Sequence, residues 1–179
     1  MKRRATSKAV VAAHRAAARA AAPALRAAIV TASDTRTPLD DASGDALAHG
    51  LAAAGIALVD RRIVRDEVLA LTQAIRAGLA AGADAVLVTG GTGVSPRDVT
   101  PEALEALGAR PLPGFGELFR WLSFIEIGPA AMLSRATAGT LGAAVVFALP
   151  GSPEACRLAL TQLIVPELPH LVAQLKRRG

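Results

Sequence analysis

The chemistry-bearing residues of this chain concentrate in one run, AVLVTGGTGVSPRDVTPEAL, which begins at Ala85 and ends at Leu104. Gly90, Gly91 and Gly93 leave main-chain N–H groups unshielded and free the backbone to take positive φ, so the loop can wrap an anion. The apolar residues before them read as a buried strand. Thr100, Pro101 and Glu102 after them have the chemistry of an N-cap, a first helical residue and a dipole-matched acid. Strand, glycine loop and helix N-terminus in that order hold phosphate. Arg97 and Asp98 add one cation and one carboxylate, and phosphate donors beside a single acid suggest a nucleotide with a divalent metal. The two common nucleotide motifs are absent: G-x-G-x-x-G is not satisfied, and no lysine follows the glycines as a P-loop requires. Taken bare, G-G-T-G is equally a tight strand-to-helix turn.

Other polar residues stand at the ends of apolar runs. Ser33 and Asp34 close the first, and Asp40 and Asp41 precede Ser43-Gly44 in what reads as the solvated start of a helix. Asp66 and Glu67 follow another run, where acids in a helical first turn need no explanation beyond the dipole. Ser134 and Arg135 interrupt a small, apolar stretch; the arginine is either a surface residue at a strand end or a planar fork for phosphate. Gly151, Ser152, Pro153 and Glu154 repeat the cap, proline and acid order of the first helix opening. His14, His49 and His170 read as solvent-facing or structural.

Strands expected at 27–33, 56–64, 85–89 and 144–149 must position these residues. Helices are expected between them: one with Leu47, Leu51 and Ala54 on a shared face, one over 68–81 with Leu71, Ile75 and Leu79, one over 115–131, and one over 155–163 with a Pro-interrupted continuation. The alternation predicts an α/β fold, a three-layer αβα sandwich on a mostly parallel sheet. Ligands of such sheets bind beyond the carboxyl ends of the strands, so the four loops converge on one crevice.

Composition sets limits. The chain has 179 residues, enough for one α/β domain. Residues 1–26 hold seven of its twenty Lys and Arg and no acid, so the remainder is near neutral. We read 1–26 as a basic, flexible arm and 27–179 as one domain. The absence of tyrosine and the single tryptophan leave few stacking platforms, which argues against a nucleic-acid partner. The lone Cys156 excludes an internal disulfide framework and fits a reducing, cytoplasmic setting. No apolar run is expected to span a bilayer, so no membrane partner is expected.

GGTG followed by RDVTPEA resembles the molybdenum-cofactor biosynthesis family that includes the MoaB, MogA and gephyrin proteins, which handle molybdopterin. P-G-F-G-E, L-S-F-x-E-I-G, L-S-R-A-x-A-G and L-P-G-S-P extend the likeness from residue 27 to the C-terminal helix. The resemblance implies adenylylation of molybdopterin by ATP with Mg²⁺, a nucleotidyltransferase activity. Asp66 and Asp98 match the family's two essential aspartates, and both carry catalytic and metal-holding roles by that match. Ser33, Asp34, Gly90, Gly91, Thr92, Gly93, Arg97, Ser134, Arg135, Gly151 and Ser152 match positions that line the substrate and nucleotide site. Ser43-Gly44 also matches, and Glu117, beside two glycines, is a weaker candidate to face the pterin. The family assembles as trimers or pairs of trimers, which puts the contact surface at residues 115–127 and implies a homotrimer or homohexamer here. Two rivals stay open: a molybdopterin-binding protein without catalysis, and a nucleotide-hydrolysing relative of the same fold.

Overall fold

The computed structural model describes residues 24–177; most of the basic N-terminal segment, with His14, lies outside the described residues. The described residues form six strands: β1 Arg26–Ala32, β2 Ala57–Val64, β3 Ala85–Thr89, β4 Arg110–Pro111, β5 Thr137–Leu141 and β6 Ala144–Leu149. They form one sheet in the order β2-β1-β3-β6-β5-β4. β2, β1, β3 and β6 run parallel, and β5 and β4 add two antiparallel strands at one edge. β1, β3 and β6 are buried on both faces because helices cover the sheet from both sides, which is why they read as unbroken apolar runs. β2 is an edge strand; Arg61 and Arg62 stand at exposed positions and Asp60 at a half-buried one.

The helices are α1 Ala42–Ala53, α2 Val68–Ala80, α3 Thr100–Ala106, α4 Pro113–Ile127, α5 Pro153–Ala159 and α6 Val165–Lys176. Strand side chains alternate between two cores. Ala27, Ile29, Leu87 and Phe147 face α1, α4, α5 and α6, with Phe115 packed edge-on to Phe147 at 5.0 Å. Ala28, Val30, Val86 and Val146 face α2 and α3 through Leu71, Ile75 and Leu104. This is the expected three-layer sandwich, with helices on both faces of a mostly parallel sheet.

Several details differ from expectation. The helix expected over 115–131 begins earlier and gives way after Ile127 to a 3-10 turn, Gly128–Leu133, where Gly128 takes φ 65°. The helix expected over 155–163 continues through a π segment, Leu160–Ile164, into α6. The Val165 N–H bonds Leu160 O, and this wider turn accommodates Pro166, which has no N–H to give. The joined stretch Pro153–Lys176 is thus long and apolar enough to cross a membrane by length and composition, contrary to the expectation that no run would be. Its apolar face is spent on the sheet through Cys156, Leu160, Ile164, Leu168 and Val172.

Candidate functional site

Four strand ends meet on one edge because β2, β1, β3 and β6 are parallel. Ser33 N–H bonds Val64 O at 2.9 Å, tying the loop after β1 to the end of β2. Gly90 N–H bonds Leu149 O at 3.0 Å, and Thr89 Oγ1 donates to Pro150 O at 2.9 Å, tying the glycine loop to the end of β6. Arg36, from the loop after β1, donates to Gly151 O at 3.0 Å. Gly90, Gly91, Thr92, Gly93, Asp98, Ser134 and Gly151, with Pro150, line one open crevice of about 330 Å³.

The glycines do two different jobs. Gly90 and Gly91 take φ 99° and 64°, conformations that favour glycine, and a Cβ on Gly90 would lie 2.3 Å from Ala32 O. Gly93 is not at positive φ, contrary to expectation; what it provides is room, since its Cβ would lie 2.7 Å from Asp98 Oδ2. A Cβ on Gly91 would likewise meet Asp66 Oδ1 at 2.4 Å. The two aspartates therefore face neighbouring glycines of one loop, although 32 residues separate them in sequence.

Asp66 does not sit in the first turn of α2. That helix starts at Val68 with Glu67 at its cap position, and Asp66 turns back toward the glycine loop. Its Oδ1 is buried and has no hydrogen-bond partner among the described residues. Burial pushes its carboxyl pKa up, and the charges of Asp98 and then Asp34 push the same way, against a weaker pull from the Val99 amide and Arg97. Asp98 is held differently, with the Ser95 N–H donating to its Oδ2 at 2.8 Å. Among the described residues no group of three or more His, Cys, Asp or Glu is arranged to hold a metal. A pair of carboxylates suits Mg²⁺, which commonly takes one or two and completes its shell with water and phosphate. The orphaned Asp66 oxygen fits such a cation.

Arg135 braces the loop. Its Nε donates to Gly93 O at 2.7 Å, one Nη to Asp98 O at 2.5 Å and the other to Glu102 at 2.5 Å, and its own N–H bonds Thr92 O at 2.7 Å. These bonds hold the Glu102 carboxyl below its ordinary range. Arg97 pairs with Asp34, joining the loops after β1 and β3, and neither residue lines the crevice. Thr100 is not the N-cap of α3: that position is Val99, and the Thr100 hydroxyl instead donates to Gly90 O at 2.8 Å. Ser152 does cap α5, accepting from Ala155 N–H at 3.1 Å, and lies outside the crevice lining. Ser33 also lies beside the crevice, its hydroxyl accepting from the Thr35 and Arg36 amides. Glu117 is exposed on α4 and does not line the crevice.

Asp41 overturns its reading as a solvated helix start, although the neighbouring Asp40 is exposed as expected. Asp41 is fully buried, caps α1 through Gly44 N–H at 3.0 Å, accepts from Thr31 Oγ1 at 2.9 Å and pairs with Arg61 at 2.8 Å. Arg36 lies 3.7 Å away and also donates to Ser43. Arg36, Asp41, Thr100 and Pro150 thus shape the site although sequence reasoning did not select them. The Asp41-Ala42-Ser43-Gly44 string, whose Ser43-Gly44 matches the family, is the signal that could have found Asp41.

A crevice beyond the carboxyl ends of parallel strands, built on a glycine loop with two carboxylates against it, marks an α/β protein with its ligand site at the sheet edge. A family model described as "Probable molybdopterin binding domain" matches residues 28–170. Molybdenum cofactor biosynthesis protein B of Bacillus anthracis is 49% identical over 156 residues, which cover 86% of this chain and 92% of that protein. A crystal structure of a molybdenum cofactor biosynthesis protein B superposes with TM-score 0.84 at 48% identity, covering 88% of this chain and 99% of that one. The tungsten cofactor synthesizing protein MoaB from Pyrococcus furiosus superposes with TM-score 0.78 at 34% identity, covering 87% and 100%. The chain belongs to the MoaB/MogA family of molybdenum cofactor biosynthesis proteins.

Proposed function

We propose that this protein binds molybdopterin and adenylylates it with ATP and Mg²⁺. The observation that carries the reading is the pairing of Asp66 and Asp98 against Gly91 and Gly93 of one loop, with the Asp66 oxygen buried and unpartnered. In the reaction a phosphate oxygen of the pterin attacks the α-phosphorus of ATP. A new P–O bond forms as the bond to the β-phosphate oxygen breaks, and pyrophosphate leaves with that electron pair. Mg²⁺ held by Asp66 and Asp98 would supply neutralising charge for the phosphates.

The remaining work falls to the chain itself. The amides of Gly91 to Gly93 cradle phosphate oxygen, the Gly90 amide being held by Leu149 O, and Thr92 and Ser134 border the same crevice. Arg135 spends its donors on the loop, so its part is to fix Gly93 and Asp98. Arg97, next in sequence to Asp98, carries an exposed guanidinium and leaves Asp34 for phosphate when substrate enters. Pro150 and Gly151 set the facing wall, and the Ser152 cap starts the helix behind it. Positioning of the two phosphates in line is where most of the rate enhancement arises.

The same reading includes assembly and setting. Trp121, Phe124, Ile125, Ile127, Met132 and Leu133 are all exposed on α4 and the turn after it, an apolar surface suited to contact between copies in a homotrimer or homohexamer. The buried thiol of Cys156, pushed up to about 11 by burial, suits a reducing cytoplasm without needing one. The test is to mix purified protein with molybdopterin, Mg²⁺ and ATP and measure pyrophosphate. Release that requires all three supports the activity; pterin binding without release favours a non-catalytic carrier.

A further inference from the structure

Beside the crevice, at the carboxyl ends of β1 and β2, lies a second and larger groove of about 550 Å³. Arg36, Arg61, Arg62 and Arg65 line it together with the hydroxyl residues Ser33 and Thr37, and no carboxylate does. The acids that pair with these arginines do not line it: Asp41 is buried, and Asp45 and Asp60 also lie outside the lining. Two of the arginines have capacity to spare. Arg65 is largely exposed and its ion pair with Glu67 is long, 3.8 Å. Arg62 engages Asp60 through Nε alone, which leaves its terminal nitrogens for another partner. The other two are fixed, Arg61 by Asp41 and Asp45 and Arg36 by Ser43 and Gly151, so they form a rigid back wall.

A wall of guanidinium groups with hydroxyls between them recognises phosphate oxygen, and four of them exceed what one phosphate needs. The groove also adjoins the carboxylate site: Arg65 precedes Asp66 directly, and Ser33 precedes Asp34. Resting on the proposed adenylylation, we infer that this groove receives the β- and γ-phosphates of the nucleotide and then holds the pyrophosphate that leaves. The α-phosphate is thereby drawn to the glycine loop, with the metal-holding aspartates between loop and groove.

Titration calorimetry of the full chain with tripolyphosphate and with orthophosphate tests this directly. The Arg62→Ala/Arg65→Ala double variant removes two exposed side chains, and Arg76→Ala, on an exposed face of α2 outside the groove, reports what loss of a positive charge elsewhere does. The double variant is expected to bind tripolyphosphate about tenfold or more weakly, and Arg76→Ala to change it by less than about twofold. Orthophosphate is expected to bind the unmodified chain much more weakly than tripolyphosphate. Unchanged tripolyphosphate affinity in the double variant, or an equal loss in Arg76→Ala, overturns the inference. Steady-state kinetics separates the sources of phosphate: a raised KM for ATP supports the assignment, whereas a raised KM for molybdopterin alone transfers the groove to the pterin and overturns it. If no pyrophosphate is ever formed but tripolyphosphate binding still depends on the two arginines, the activity fails and the groove stands.

Discussion

Gly91 holds open the space that Asp66 occupies: a Cβ there would lie 2.4 Å from Asp66 Oδ1 and 2.5 Å from Thr100 Oγ1, on a backbone at φ +64°. Gly91→Ala is therefore expected to fail twice. The left-handed backbone costs about 1–2 kcal/mol with a side chain present, and the carboxylate must move. Displacement on the ångström scale costs about 100-fold in turnover. Measured kcat/KM should fall by that order while the protein stays folded by circular dichroism; near-normal kcat/KM would show that Asp66 need not sit where it does.

Asp66 also links activity to stability. Its pKa in the folded chain is raised above the ordinary value of 3.8, first by burial and then by Asp98 and Asp34. Folding is thus relatively favoured when the group is protonated. That benefit is full below the unfolded value and is lost as pH rises through the raised folded value. In metal-free buffer at neutral pH, Asp66→Asn should melt higher than the unmodified chain, and the difference should close as pH falls toward 3.8. The same substitution should reduce adenylylation sharply, a trade of function against stability. A lower melting temperature at neutral pH would contradict this account of the site.

Asp41 is expected to behave in the opposite sense, as a structural acid. Removing it orphans part of Arg61 and deletes the cap of α1. Asp41→Ala should cost about 3 kcal/mol, or roughly 6–12 °C in melting temperature for a domain of this size. Asp41→Asn retains an acceptor for Gly44 N–H and should cost less. Thermal denaturation of the two variants gives the order; equal melting temperatures for Asp41→Ala and the unmodified chain would remove Asp41 from the frame of the site.

Trp121 tests the assembly surface. It is 61% exposed beside Phe124 at 56% and Ile125 at 63%, a cluster and not an isolated apolar residue. If the proposed assembly uses this surface, Trp121→Glu should give smaller species than the unmodified chain in size-exclusion chromatography with light scattering, without loss of secondary structure. An unchanged mass would place the contact elsewhere.

The sequence made the sheet's interior legible because β3 and β6 are buried on both faces, and a strand with two buried faces has no alternation to hide it. β5, Thr137–Leu141, was not legible: its residues are small, and its position is set by antiparallel pairing with β6. β4 contains a proline and exists only through its pairing with β5. Asp41 reads as a solvated helix start because its partners, Thr31 and Arg61, come from strands β1 and β2, distant in sequence from the cap of α1. Thr100 looked like a cap by local chemistry, but Gly90 O, ten residues earlier, claims its hydroxyl. The convergence of the strand-end loops was legible, since parallel strands put their carboxyl ends on one edge. Which arginines pair and which stay available was not, because that depends on contacts such as Arg97 with Asp34.

The most direct measurement compares the unmodified chain with Asp98→Asn for both molybdopterin affinity and pyrophosphate release in the presence of ATP and Mg²⁺. The account predicts pterin affinity within a few-fold of normal and release reduced by two orders of magnitude or more, about 3 kcal/mol of lost transition-state stabilisation. Release at the normal rate from Asp98→Asn would contradict it.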